Sequence, residues 1–220
     1  MTNRGERKMG PHAVLVPVKA FHQAKVRLAP ALPPPERAAL ARAMGERVLA
    51  AAAPLPVAVV CDDPGVATWA TSLGALVIWG PGQGLNRAVG AGVEHLAGLG
   101  VRRVTVAHAD LPMASDLPSV ASPLGHGDDR RVVLVPDRRR DGTNVISVPT
   151  SAPFPFSYGP GSYERHVVTA LGLGLATEVL EVPVLAWDVD WPEDLAGVGE
   201  MASLGGAWPL PSLTDALARP

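Results

Sequence analysis

The sequence predicts an α/β fold of Rossmann type: a mostly parallel central sheet with helices on both faces and a small antiparallel insertion. Three observations carry this expectation. Short apolar runs rich in valine recur along the chain, as strands buried on both faces of a parallel sheet require. Stretches with helical signals lie between them in a β-α-β-α rhythm. Basic residues follow the first run and acids follow later ones, which suits ligand binding at the carboxyl edge of such a sheet.

The first strand is Ala13–Val18, and the loop after it carries Lys19, Lys25 and Arg27 within nine glycine-free residues. Pro33, Pro34, Pro35 and Glu36 then lead into a helix with an apolar face through Leu40, Met44 and Val48; proline and an acid suit the exposed N–H groups of a helix start. A second strand spans Pro56–Val60, a short helix Val66–Leu73, and a third strand Ala75–Trp79. The glycine-rich Gly80–Gly84 opens a helix over Leu85–Leu96, and the strand Arg103–Ala107 runs directly into His108–Pro112. In the second half, Val132–Val135 and Asn144–Val148 read as strands joined by an arginine-rich turn, a hairpin excursion. Prolines 149, 153, 155 and 160 make Pro149–Gly161 an ordered loop. Ser162–Leu173 is helical, with Ser162 placed to cap and Glu164 in the first turn. A late strand over Val179–Asp190 ends in acid, and a short helix follows around Glu193–Val198. No repeat or linker divides the chain, so the expectation is a single domain over 1–220, with its core at about 13–198 and a flexible tail at 1–12.

Composition sets the outer limits. A chain of 220 residues, 47% hydrophobic and 18% charged, is globular and can bury a sizeable core. No apolar stretch approaches the ~20 residues that span a bilayer, and the amino-terminal segment lacks the apolar core of a signal peptide. The net charge of −2 supplies no basic field for nucleic acid. Cys61 is the single cysteine, which excludes an internal disulfide and fits a reducing cytoplasm.

All three lysines precede residue 26, and a loop that gathers Lys19, Lys25 and Arg27 suits a polyanion, most simply a triphosphate, although a solvated basic loop would look the same. Asp110 lies just past one buried strand, and Asp188 and Asp190 close another with both carboxylates on one side. A few carboxylates completed by substrate phosphates and water are how proteins hold Mg²⁺. Each acid also has an ordinary explanation: Asp110 shapes a turn before Leu111–Pro112, and Asp190 with Glu193 has the spacing of a capping box. Asp141–Asn144 and Gly159–Ser162 resemble anion cradles, the second at a helix start. By analogy with nucleotide-binding folds, Val60–Asp62 and Gly80–Asn86 line the base pocket, which makes Cys61, Gly84 and Asn86 candidates for nucleotide binding. His108 and His166 have no spacing for zinc or a catalytic triad and read as packing or supporting residues.

An ordered set of motifs resembles a known family. Val16-Pro-Val-Lys19 with Ala24-Lys-Val-Arg27, Gly84-Leu-Asn86, His108-Ala-Asp110-Leu-Pro112, Pro136-Asp-Arg138, Asp141-Gly-Thr143-Asn144, Tyr158-Gly-Pro-Gly-Ser162-Tyr163 and Asp188-Val-Asp190 are similar to the guanylyltransferases of deazaflavin coenzyme (F-420) biosynthesis, which act on phosphoenolpyruvate or 2-phospho-L-lactate. The likeness spans about residues 13–198. It implies a Rossmann-like nucleotidyltransferase fold and Mg²⁺-dependent transfer of GMP from GTP to a small phosphorylated three-carbon acid, phosphoenolpyruvate first, with diphosphate released and the product handed to the next enzyme. It further implies metal ions, two of them expected, surrounded by Asp110, Asp188 and Asp190, and acceptor contacts from Thr143, Gly159 and Ser162; by charge, Lys19, Lys25 and Arg27 take the catalytic places around the GTP phosphates. Trp191, where the family usually has threonine, and the Arg138–Arg140 run depart from the pattern. 2-Phospho-L-lactate, 3-phosphoglycerate or a sugar phosphate would serve the same fold as acceptors, and a noncatalytic nucleotide-binding protein is the alternative of a different class.

Overall fold

A computed structural model of the chain describes residues 9–121 and 130–196. The valine-rich runs lie side by side in it. β1 (His12–Pro17), β2 (Val57–Cys61), β3 (Leu76–Trp79), β4 (Arg103–Ala107), β5 (Arg131–Pro136), β6 (Thr143–Pro149) and β7 (Ala176–Val179) form one seven-stranded sheet in the order β3-β2-β1-β4-β6-β5-β7. β1 is central, pairing in parallel with β2 on one side and β4 on the other, so that Val14 lies opposite both Val57 and Thr105. The chain therefore walks outward from β1 to β3 and then returns to β1's other flank. This reversal opens a crevice beyond the ends of β1 and β4, the usual place for a ligand in an open α/β sheet. β6 alone among the described strands runs against its neighbours: Ile146 faces Val106 of β4 and Leu134 of β5. The turn between β5 and β6 is thereby delivered to the same edge at which the parallel strands end.

Alternate residues of each central strand feed opposite layers. Leu15, Val104, Leu134 and Ile146 pack with Val93 and Leu96 of α3 (Gly84–Gly98) and Ala170 of α5 (Ser162–Gly172). Val14, Val16, Val133 and Val145 pack with Val48 of α1 (Pro34–Ala51) and Trp69 of α2 (Pro64–Ser72) on the other face. Burying a leucine or valine in this way contributes roughly 1.5–3 kcal/mol. Helix starts follow their local signals: proline leads α1, and the Asp63 carboxylate accepts the Val66 N–H at 2.9 Å to open α2. A third, smaller cluster of Leu28, Leu32, Leu40, Met44, Val189 and Leu195 pins the basic loop and the acidic segment 188–190 to α1.

Several expectations need correction. The late strand stops at Val179, because Pro183 has no N–H to give a ladder and instead opens the short helix α6 (Pro183–Ala186). Asp188 and Asp190 therefore end no strand, although Val189 between them is fully buried and keeps the alternation. The short helix α4 (Leu117–Ala121), too brief to show a period, was not expected. Ser162 is the first residue of α5 and makes no capping bond, since Gly161 occupies the cap position at φ 70°. Of the expected tail, residues 1–8 lie outside the described residues, Met9 is buried, and β1 already begins at His12. The helix expected at 193–198 is seen over 192–196, and 197–198 lie outside the described residues. No helix among the described residues is long and apolar enough to cross a membrane.

Candidate active site

After β1 the chain makes two 3-10 turns, Phe21–Gln23 and Val26–Leu28, with Lys25 between them in the left-handed region at φ 53°. That conformation is uncommon for a side chain with a Cβ, and it turns Lys25 inward. Its Nζ donates to Asp110 Oδ2 at 2.6 Å and to Asp190 Oδ1 at 3.0 Å. Arg27 reaches the other oxygen of Asp190 at 3.5 Å and lies over the Trp191 ring at 4.9 Å. Burial alone would lower the pKa of Lys25, but the two carboxylates outweigh it and hold the ammonium above its ordinary value. Burial likewise works to raise Asp110, and the Lys25 charge overcomes it, keeping the carboxylate ionised below its usual range.

The acidic segment is held by a network that sequence reading missed. The Val189 N–H bonds the Asp110 carbonyl at 3.2 Å, tying the two acidic stretches together. Asp194, almost fully buried, accepts the N–H groups of Asp190 and Trp191 at 2.8 and 2.7 Å and receives the Arg138 guanidinium. Burial would raise its pKa, yet these donors hold it low. Arg138 also donates to the Asp188 carbonyl at 3.1 Å and stacks over Trp187 at 4.2 Å. The capping box expected at Asp190 and Glu193 does not form: the Asp190 carboxylate pairs with Lys25 and Arg27, and Asp194 is the carboxylate that reaches back to the Trp191 N–H before the 192–196 helix.

A cavity of about 630 Å³ opens at the carboxyl edge, lined by Lys19, Lys25, Arg27, Cys61, Gly84, Asp110 and Asp190 among others. Seven of the predicted site residues therefore share one space. Lys19 has no ion pair among the described residues and is exposed. Gly84 opens α3 at φ 70°, a conformation that favours glycine. His108, expected to pack or to support the site, lines the cavity as well; its Nε2 is buried without a hydrogen-bond partner, and burial lowers its pKa.

The remaining candidates lie away from this cavity lining. Asn86 is not in the lining of that cavity; its Oδ1 accepts the Tyr158 N–H at 2.7 Å and so ties the start of α3 to the proline-rich loop. Thr143 and Ser162 are buried together, the Thr143 N–H donating to Ser162 Oγ at 3.1 Å. His166 joins them, with Nδ1 at 3.0 Å from Thr143 Oγ1 and Nε2 accepting the Ser157 N–H at 3.0 Å. Because Nε2 accepts, the neutral ring must carry its proton on Nδ1, and Thr143 Oγ1 accepts it. Gly159 is exposed at φ 116°, beside the Arg165 side chain. Asp188 sits 3.8 Å from Arg138. Through the β4–β6 register, Ala107 faces Val145, which brings Thr143 to the sheet edge next to Asp110.

The donor set suits a hard divalent cation. Asp110 Oδ1 is buried without a partner. Asp188 is pushed up to about 6, first by burial and then by the charges of Asp110, Asp190 and Asp137, a repulsion that a cation would relieve. As they stand, no three His, Cys, Asp or Glu side chains among the described residues are grouped to hold a metal. The Lys25 ammonium instead occupies the position between Asp110 and Asp190. Mg²⁺ commonly takes one or two protein carboxylates and completes its shell with substrate phosphates and water, so the residues fit the ion without a closed protein cage.

A switch-point crevice with cations from one loop and carboxylates from two others defines a nucleotide-handling α/β protein, and solved structures agree on the fold. A nucleotidyl transferase from Methanothermobacter superposes with a TM-score of 0.60 at 15% identity, covering 86% of this chain and 96% of that one. A Leptospira borgpetersenii cytidylyltransferase gives 0.59 at 11% identity, covering 94% and 92%. Among curated sequences, the phosphoenolpyruvate guanylyltransferase of Conexibacter woesei is 40% identical, covering 88% of this chain and 90% of its own. That of Rubrobacter xylanophilus is 38% identical, covering 83% and 90%. The family model described as Guanylyl transferase CofC like matches residues 12–202, and the chain belongs to that family.

Proposed function

We propose that the chain transfers GMP from GTP to phosphoenolpyruvate with the help of Mg²⁺, giving enolpyruvyl-2-diphospho-5'-guanosine and diphosphate. The observation that carries the reading is Lys25 bridging Asp110 and Asp190, residues far apart in the chain that meet at the switch point. The acceptor is taken from the name its relatives bear.

The phosphate of the acceptor loses its second proton near pH 6, so at neutral pH it is largely dianionic and needs no general base. One of its oxygens attacks the α-phosphorus of GTP, the bond from that phosphorus to the β-phosphate bridge oxygen breaks, and diphosphate leaves with the electron pair. The obstacle is bringing two anions together in line. Lys19, Lys25 and Arg27 would bind the GTP phosphates and offset their charge, Lys25 exchanging its two carboxylate partners for phosphate oxygens as the ion takes its place. Asp110 and Asp190 would hold a magnesium ion, with Asp188 available to a second; the ion supplies charge neutralisation at the transferring phosphorus and the departing diphosphate. Gly159, Ser162 and Thr143 would orient the acceptor on the β6 side, with His166 fixing the Thr143 hydroxyl as a donor toward it. The product would pass to the next enzyme of the deazaflavin coenzyme pathway, and the reaction would run in the cytoplasm as a single-domain enzyme.

Asp110→Asn and Asp190→Asn are expected to lower diphosphate release by on the order of 10²–10³ while leaving thermal unfolding cooperative. Near-normal turnover in both variants would remove the metal assignment. A panel of phosphoenolpyruvate, 2-phospho-L-lactate, 3-phosphoglycerate and sugar phosphates, scored by the same release, tests the acceptor.

A further inference from the structure

We infer that Asp62 reads the guanine base; the inference rests on GTP being the nucleotide of this site. The strand order β3-β2-β1-β4 places the end of β2 two strands from the end of β4. At a strand spacing of about 4.8 Å the two ends are about 10 Å apart, which suits a nucleotide with its phosphates at Asp110 and its base over β2 and β3. The cavity wall there is made of Val60, Cys61, Gly80, Leu85 and Ala88, an apolar slot for a planar ring. Leu85 keeps 42% of its surface exposed at this wall, with apolar area for a base to cover. Burial, aided by nearby Asp62 and Asp63, pushes the Cys61 thiol up, so it stays an uncharged surface.

Asp62 is the carboxylate on that side. Asp63 next to it is committed to the Val66 N–H at the start of α2, and Asp110 and Asp190 meet Lys25 at the phosphate end of the cavity. No hydrogen bond or ion pair engages the Asp62 carboxylate among the described residues, and it is exposed on the cavity lining. A free carboxylate in a space built for a triphosphate repels its phosphates, so its presence calls for a partner that brings donors. Guanine brings an adjacent pair, N1–H and the exocyclic N2–H₂, and an ionised carboxylate accepts both. Adenine presents an acceptor at N1 and would be rejected. Xanthine replaces the amino group with a carbonyl, which a carboxylate repels but an asparagine amide can pair with, its oxygen taking N1–H and its NH₂ donating to the carbonyl.

The test is Asp62→Asn, with binding of GTP, ITP, XTP and ATP measured by calorimetry and transfer to phosphoenolpyruvate measured by diphosphate release. Native protein should rank GTP above ITP, and both above XTP and ATP. In Asp62→Asn, GTP binding should weaken by roughly 10- to 100-fold, the range of a hydrogen-bonded charge, and XTP should become the better ligand. Asp62→Ala should lose the preference without gaining XTP. An unchanged GTP preference in Asp62→Asn overturns the inference and assigns base reading to backbone groups. Loss of GTP with no gain for XTP also overturns it, since the carboxylate would then act by charge and not by pairing. Failure of the native protein to transfer GMP at all, with selective GTP binding retained, would count against the catalytic reading while leaving the Asp62 assignment standing.

Discussion

His166 shows how much one buried side chain can organise. Its Nε2 anchors the Ser157 N–H and its Nδ1 proton fixes the Thr143 hydroxyl, so the proline-rich loop and β6 share one neutral ring. Burial, followed by the charges of Arg165 and His108, lowers its pKa from 6.5 to about 4. Between those values the unfolded chain takes up a proton that the folded protein refuses, so stability present above pH 6.5 drains away as the pH falls toward 4. The loss is on the order of 3 kcal/mol at most, from about 1.4 kcal/mol for each pH unit. Urea midpoints measured across that range should fall more steeply for native protein than for His166→Asn, which lacks the titrating ring but keeps an amide where Nδ1 stood. Parallel curves would mean that the ring accepts a proton when folded. Nothing in the spacing of His166 announced this role, because both of its partners come from other segments. Lys25 is the opposite case: its basic loop was conspicuous in the sequence, while its two carboxylate partners lie 85 and 165 residues away.

Elements of the first half were legible because β1 and β2 read as apolar runs, and β4 keeps enough valine on either side of Thr105 to read as a buried strand. The same rule misled at Val179–Asp190, where Val182, Val184, Leu185 and Trp187 resemble a strand but Pro183 starts a helical turn and the ladder ends at Val179. Only the proline could have flagged the error. Close packing between elements was invisible as well. Gly92 in α3 lies so near β1 that a Cβ there would stand 2.7 Å from Leu15 Cδ2, 3.2 Å from its Cδ1 and 3.5 Å from its Cγ. Leu15 is fully buried, so any shift of its methyl groups must displace other core side chains. Gly92→Ala should therefore lose stability, overpacking of ~1–3 kcal/mol outweighing the ~1 kcal/mol that alanine gains in a helix. A raised urea midpoint in the variant would show that the α3–β1 contact is looser than the geometry indicates.

At the scale of the whole molecule, the proposed nucleotide and the fold would be coupled through the loops that meet at the crevice. The basic loop, the Asp110 stretch and the 188–190 segment are tied by Leu28, Val189 and the Lys25 bridge, so a nucleotide that engages all three should stabilise the entire fold. GTP with Mg²⁺ at 100 times its dissociation constant should add about 2.7 kcal/mol, read as a rise in Tm by calorimetric scanning. No rise at saturating GTP would separate the crevice from the nucleotide.

β6, the reversed strand, has a consequence for how such a protein could change. On the proposed reading, the turn at residues 137–142 and the first residue of β6 face the acceptor, and the loops after β1, β2 and β3 face the nucleotide. A new acceptor would then be reached by varying that hairpin tip only where Arg138 is kept, because Arg138 holds Asp194 and the Asp188 carbonyl and with them the acidic segment of the donor side.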